Sequence, residues 1–237
     1  MQKVLMIIPA YNEEKSILDV VKEIKKVKCD DVLIDYIIIN DGSRDKTREI
    51  CIQNDLNFID LPCNLGIGGA VQTGYKYAFY KEYDIAIQFD GDNQHDGAFI
   101  PYLIKEINKG NDMVIGSRFV SDLSEFKSSA LRRLGINILS GIIKVCTGVK
   151  VYDVTSGYRA CNKKLIEYFA YKYPVDYPEP DTLVQVLKKG MKVLEIPVKM
   201  RECKEGKSSI NGFKSAYYMI KVTLAIIIAA ISTRRDK

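Results

Sequence analysis

Ile85-Ala86-Ile87-Gln88-Phe89-Asp90-Gly91-Asp92-Asn93-Gln94-His95-Asp96 is an apolar run that stops abruptly in carboxylates. Ile85, Ala86, Ile87 and Phe89 read as a short buried strand, with Asp90, Asp92 and Asp96 where that strand must leave its sheet. Carboxylates this close repel one another unless donors or a cation neutralise them. Hard divalent cations such as Mg2+ or Mn2+ take oxygen ligands, so Asp90 and Asp92 are the candidate metal ligands, and a metal held there would also hold a diphosphate. For an Asp-Gly-Asp taken alone, a polar turn is the plain alternative. The neighbouring segments decide between the two.

Upstream, the same unit recurs. An apolar strand over 3–8 ends at Pro9, and Ile17, Val20, Val21, Ile24 and Val27 then keep helical spacing. A second strand over 33–39 leads through Asn40-Asp41-Gly42-Ser43 to a helix over 45–54, and a brief strand over 57–60 follows. Gly66-Ile67-Gly68-Gly69 reads as a loop opening a helix over 70–81, where backbone N–H groups favour an anion. It lacks the full Gly-x-Gly-x-x-Gly spacing of a dinucleotide site. Strands alternating with helices over short links imply an α/β fold, a mostly parallel Rossmann-like sheet flanked by helices. Ligands then belong at the carboxyl ends of the strands. Pro9–Glu13, Asp41 and Asp90–Asp92 all fall there.

Downstream, a helix over 97–109 and a strand over 112–116 end in Ser117-Arg118, an arginine placed to grip phosphate. A helical pattern over 124–146 has Leu131, Leu134, Ile138, Leu139, Ile142 and Ile143 on one side and Arg132 and Arg133 beside it. A polar loop over 153–159, a helix over 162–169, a helix over 182–189 and a strand over 191–196 follow. Pro178-Glu179-Pro180-Asp181 precedes the helix at 182, and Asp181 is either its cap or a catalytic group. Residues 199–209, including Lys207, form a basic loop suited to closing over phosphates.

The last segment, 213–237, is an apolar helix with a basic end, set apart from a main domain over 1–212. Only twelve uncharged residues separate Lys221 from Arg234, short of the roughly 20 that span a bilayer. A helix lying on the membrane or on a partner is preferred, with spanning and internal packing as alternatives. Composition narrows the rest. At 237 residues, 47% hydrophobic, with a net charge of +5, the chain has enough material for a buried core. One histidine leaves little for a histidine-rich metal site or a Ser-His relay. Six cysteines without Cys-x-x-Cys pairing suit reduced thiols in a cytosolic compartment.

In order along the chain, Ile8-Pro9-Ala10-Tyr11-Asn12-Glu13-Glu14, the Asn40–Thr47 segment, Asn64–Ala70, Gln88–His95, Gly116-Ser117-Arg118 and Ser156-Gly157-Tyr158-Arg159 together resemble the family 2 glycosyltransferases of GT-A fold, in the dolichol-phosphate-mannose-synthase-like branch. The resemblance implies an inverting, metal-dependent transfer of a sugar from a UDP-, GDP- or dTDP-sugar. It places Pro9, Ala10, Tyr11, Asn12, Glu13 and Asp41 on the nucleotide, with Gly66, Gly69 and Gly91 close by. Asp90 and Asp92 bridge to the diphosphate through Mg2+ or Mn2+, while Gln94, Ser117, Arg118, Arg159 and Lys207 contact substrate or phosphate. The implied acceptor is a polyprenyl phosphate or lipid-linked glycan at the cytoplasmic side of the cell membrane. A sugar or protein hydroxyl would instead need a base, Asp181 or Glu179, and a non-catalytic nucleotide-sugar-binding subunit is the third reading. The Pro178–Asp181 segment departs from the expected pattern, which weakens any transfer of mannose specificity. A small membrane protein is a candidate partner, a homo-oligomer is compatible with the sequence, and nucleic acid is not an expected partner.

Overall fold

The computed structural model describes residues 1–120, 130–201 and 212–233. Seven strands form one sheet in the order β3-β2-β1-β4-β6-β5-β7. They are β1 (Gln2–Ala10), β2 (Val32–Asn40), β3 (Phe58–Asp60), β4 (Ile85–Gln88), β5 (Met113–Ser117), β6 (Arg159–Asn162) and β7 (Val193–Pro197). Helices α1 (Ile17–Lys26), α2 (Thr47–Gln53), α3 (Gly66–Tyr80), α4 (Ile100–Asn108), α5 (Ala130–Thr147), α6 (Lys163–Tyr171), α7 (Pro178–Lys188) and α8 (Gly212–Ser232) cover both faces.

Alternation along the strands creates the two faces. On β1, Val4, Met6 and Ile8 belong to the core with α1 and α4, while Leu5 and Ile7 belong to the core with α3, α5, α6, α7 and α8. The approach of α3 to β1 is close: a Cβ on Gly74 would lie 2.2 Å from Ile7 Cγ2. Because β1 pairs in parallel with both β2 and β4, the chain leaves β2 and β4 on the same edge of the sheet. Strand order reverses at β1, so this edge is a topological switch point.

Four local expectations need correction. The expected loop over 153–159 runs into a strand, β6, antiparallel between β4 and β5. The expected Gly66–Gly69 loop is the first turn of α3. Helix α7 starts at Pro178, because Pro178 and Pro180 occupy first-turn positions whose N–H groups have no helical partner to lose; Asp181 is therefore inside the first turn and is not its cap. The final helix is not a free appendage. Val222, Ile226 and Ala229 are buried in the core shared with α5, α6 and α7. Among the described residues no helix is long and apolar enough to cross a membrane, which corrects the spanning alternative.

Candidate active site

Three βα turns are laced together at this edge. Asp41 N–H donates to Ala10 O (2.9 Å), Asn12 N–H to Ser43 Oγ (2.9 Å), Glu13 N–H to Thr47 Oγ1 (2.8 Å), and Arg44 N–H to Asn12 Oδ1 (2.8 Å). Asn12 takes a left-handed conformation to turn the chain, at φ 60°. Asp41 is buried, and its Oδ1 accepts from Leu65 N–H (2.7 Å), which ties the start of α3 to the end of β2. Tyr11 stays exposed on this rim.

The carboxylate turn sits on the first of these loops. A Cβ on Gly91 would lie 3.0 Å from Pro9 O and 3.3 Å from Glu13 Cγ. Glu13, Asp90 and Asp92 therefore share one patch. Burial, and then the charge of Asp90, push the Asp92 carboxyl above its usual range. Burial also raises Glu13, against a hydrogen bond from Ser16 and with the charges of Asp92, Asp45 and Asp90 adding to the rise. Gln94, expected to contact substrate or phosphate, is bound to Asp92 here. Its N–H and Nε2 donate to Asp92 Oδ1 (3.0 Å) and Oδ2 (2.8 Å), fixing that carboxylate.

Behind Asp90 lies the chain's one histidine. His95 Nδ1 accepts from Asp90 N–H (3.1 Å), and Nε2 lies 3.4 Å from Asp90 Oδ2. Burial holds this imidazole below its usual value, against the pull of Asp90 and Asp92, and its ring stacks on Tyr158 at 4.6 Å. From the other side β6 brings in Gly157, where a Cβ would be 2.8 Å from Asp90 Oδ2. The Ser156–Arg159 motif contains Gly157, but its closeness to Asp90 depends on the antiparallel insertion and is not legible in the sequence.

Two arginines expected at phosphate are engaged within the protein. Arg118 makes a buried two-pronged pair with Asp153, Nε to Oδ2 at 2.7 Å and Nη2 to Oδ1 at 2.6 Å, and Nη2 also donates to Thr155 Oγ1 (2.8 Å). Arg159 donates to the carbonyls of Ser156 (2.8 Å), Glu179 (2.7 Å) and Val154 (3.3 Å) and to Thr182 Oγ1 (2.9 Å), which pins α7 to β6. Ser117 is buried beside them. Gly66 has open space where a Cβ would go, whereas a Cβ on Gly69 would meet Leu65 at 2.5 Å. Gly68 serves packing: a Cβ there would lie 2.3 Å from the carbonyl of Pro174.

Glu179 and Asp181 part company. Asp181 Oδ1 accepts from Gln185 Nε2 (2.7 Å), and burial raises its carboxyl. Glu179 is also raised, by burial first, with Arg159 opposing and the Asp90 charge adding. The Asp90 charge contributes to the rise of Glu179, while Asp181 is bound to Gln185 along α7.

Lys207 lies outside the described residues, but the entry to its loop is held at the site. Met200 bridges to His95, Arg201 N–H donates to Gln94 O (2.9 Å), and Arg201 Nη1 to Asn93 Oδ1 (3.0 Å). The Arg201 guanidinium also pairs with Glu23 of α1, Nη2 to Oε1 at 2.8 Å and Nη1 to Oε2, and Glu23 Oε1 accepts from Gly97 N–H. Removing this clamp loosens the loop that holds Asp92. Glu23→Gln is expected to lower kcat/KM about tenfold, with a small change in thermal midpoint because the pair is partly solvated. The exchange Glu23→Arg with Arg201→Glu should recover part of the loss; steady-state kinetics and thermal melts check both.

The oxygen-only donor set fits Mg2+ or Mn2+. Among the described residues no group of three His, Cys, Asp or Glu side chains gathers as a metal site. A pair of carboxylates with strained charge suits a hydrated cation whose remaining ligands are phosphate oxygens and water.

Comparison with known proteins agrees with this geometry. The family model described as "Glycosyl transferase family 2" matches residues 6–169. An N-acetylglucosaminyltransferase of Methanococcus voltae, named for UDP-N-acetylglucosamine and dolichyl phosphate, is 30% identical over 95% of this chain and 98% of its own. A polyprenol monophosphomannose synthase of Mycolicibacterium smegmatis is 25% identical over 93% of this chain and 86% of its own. Among solved structures, glucosyl-3-phosphoglycerate synthase of Mycobacterium tuberculosis, in complex with Mn2+, UDP and phosphoglyceric acid, superposes with a TM-score of 0.74 at 18% identity, covering 100% of this chain and 80% of that one. That likeness establishes the GT-A fold. The turns from Pro9 to Asp92 lie inside the matched segment, and the chain belongs to glycosyl transferase family 2.

Proposed function

We propose that the protein moves a sugar from a nucleoside-diphosphate sugar to a polyprenyl phosphate or a lipid-linked glycan, with inversion, at the cytoplasmic face of the membrane. The observation that carries this reading is the convergence of Glu13, Asp90 and Asp92 beside Asp41 at the switch point of the sheet. In the proposed reaction the Pro9–Glu13 turn and Asp41 hold the nucleoside, with Tyr11 open to its base. Asp90 and Asp92 hold Mg2+ or Mn2+, which when bound offsets charge on the departing diphosphate. Gln94 and His95 keep the two carboxylates in place. The acceptor oxygen attacks the anomeric carbon as its bond to the diphosphate breaks, and the nucleoside diphosphate leaves. A phosphate oxygen is already ionised, so no base is needed. Arg133, exposed at the start of α5, is a candidate to receive that phosphate. Support for a lipid phosphate comes from relatives named for dolichyl phosphate and polyprenol monophosphomannose.

One observation favours a second reading, transfer to a hydroxyl: Glu179 is a half-buried carboxyl raised above its usual range by burial, as a general base would be. The test is incubation with membranes, Mn2+ and a panel of nucleotide sugars, followed by lipid extraction and mass identification. A glycolipid from one donor is expected, and none from any donor would remove the lipid acceptor. Glu179→Gln and Asp181→Asn are expected to keep turnover on lipid phosphate within about tenfold. Loss of about a hundredfold or more in Glu179→Gln, with nucleotide binding intact, would instead establish a base and a hydroxyl acceptor.

A further inference from the structure

We infer that α5 and α8 together form a face that lies on an anionic lipid bilayer and sets the rim of the active site at the water–lipid boundary. This rests on the lipid-phosphate acceptor proposed above and adds which surface meets the lipid.

Helix α8 has two opposed apolar sides. Val222, Ile226 and Ala229 are turned into the core, 0%, 0% and 5% exposed. Ile220, Leu224, Ile228 and Ile231, spaced three or four residues apart on the other side, are 61%, 53%, 64% and 79% exposed. A solvated face would carry charge at these positions. Helix α5 repeats the arrangement. Ile136, Leu139 and Ile143 are buried, while Leu134, Ile138 and Val145 recur at helical spacing on the outside, 56%, 47% and 87% exposed. The two helices touch, since a Cβ on Gly135 of α5 would lie 3.3 Å from Met219 Sδ of α8.

Charge selects the occupant. Neither helix contains an aspartate or glutamate. Exposed Arg133, Lys144 and Lys221 flank the stripes, and Lys221 Nζ lies over the Tyr217 ring at 4.7 Å, a cation and an aromatic as found at a headgroup layer. A second copy of this face would set like charges against one another with no carboxylate on either helix to answer them. An anionic bilayer answers the charge and covers the apolar stripes at once. Because no described helix is able to cross, contact is by lying on the surface.

The face begins at the site. Arg133 stacks over Phe119 at 5.6 Å, and Phe119 directly follows Arg118 at the carboxyl end of β5. A polyprenyl chain could stay in the bilayer while its phosphate reaches the rim.

The test is co-sedimentation of the full chain with vesicles of phosphatidylcholine alone or with phosphatidylglycerol. Binding is expected with the anionic vesicles, and Ile138→Glu and Ile228→Glu, both at exposed positions, should each weaken it at least about tenfold. Their thermal midpoints and their turnover on a short-chain, water-soluble polyprenyl phosphate should stay unchanged. Absence of vesicle binding by the parent protein, or variants that bind equally well, would overturn the inference. So would a dimer that Ile228→Glu splits without altering vesicle binding. A parent protein that binds vesicles but never turns over the short-chain acceptor would defeat the acceptor reading and leave the surface standing.

Discussion

Asp92→Asn is expected to lower turnover by about a thousandfold while raising the thermal midpoint of the metal-free protein. The two effects have one cause. In the folded chain Asp92 is a desolvated anion next to Asp90 and near Glu13, which is why its carboxyl is raised. Neutralising it removes first the cost of burying the charge and then its repulsion with Asp90. An asparagine keeps the shape and still accepts from Gln94 N–H, so the carboxylate turn should stay in place. In the proposed site Asp92 holds the cation, and losing it would remove the charge that balances the leaving diphosphate. Melting curves with and without Mn2+ separate the two consequences. The parent protein should gain stability with added Mn2+ by linked binding, and the variant should gain little. Normal turnover by the variant would take Asp92 out of the metal site.

Much of this site can be read from the residues, because a parallel sheet obeys simple rules. Once 3–8, 33–39 and 85–89 are recognised as buried strands joined by helices, their polar ends must share one edge, and Pro9–Glu13, Asp41 and Asp90–Asp92 do. The later half is less transparent. Strand β6 is four residues long with an arginine at its head, and it runs against its neighbours, so alternation of strand and helix does not announce it. The prolines at 178 and 180 look like linker until the helix is seen to start on them. Charge in a sequence also does not say whom it faces. Arg118 and Arg159 have phosphate-binding chemistry, yet one is matched by Asp153, 35 residues away, and the other by carbonyls and the Thr182 hydroxyl, up to 23 residues away. Apolar periodicity in α8 is equally ambiguous, since its pattern contains both the docked and the exposed stripe.

Gly157→Ala is the sharper test of how the site is built, because it changes one methyl and no charge. A Cβ at 157 would stand 2.8 Å from Asp90 Oδ2, 2.8 Å from Gln88 Nε2 and 3.1 Å from Asp90 Oδ1. All three are ends of side chains, so the fold can yield by swinging Asp90 away, and global unfolding is not expected. In the proposed reaction Asp90 holds the cation and cannot move without cost to function. Its backbone N–H is fixed to His95, which Tyr158 and Phe89 wedge in place, so the strain falls on the carboxylate itself. A displacement of about 1 Å at a reacting centre costs on the order of a hundredfold in rate, and that is the expected loss in turnover. Metal affinity should fall with it, read as a higher Mn2+ concentration for half-maximal activity, while the far-ultraviolet spectrum stays that of the parent. A Gly157→Ala protein with parent kinetics would mean that β6 does not press on Asp90, and the site would then be shaped by the β1, β2 and β4 turns alone.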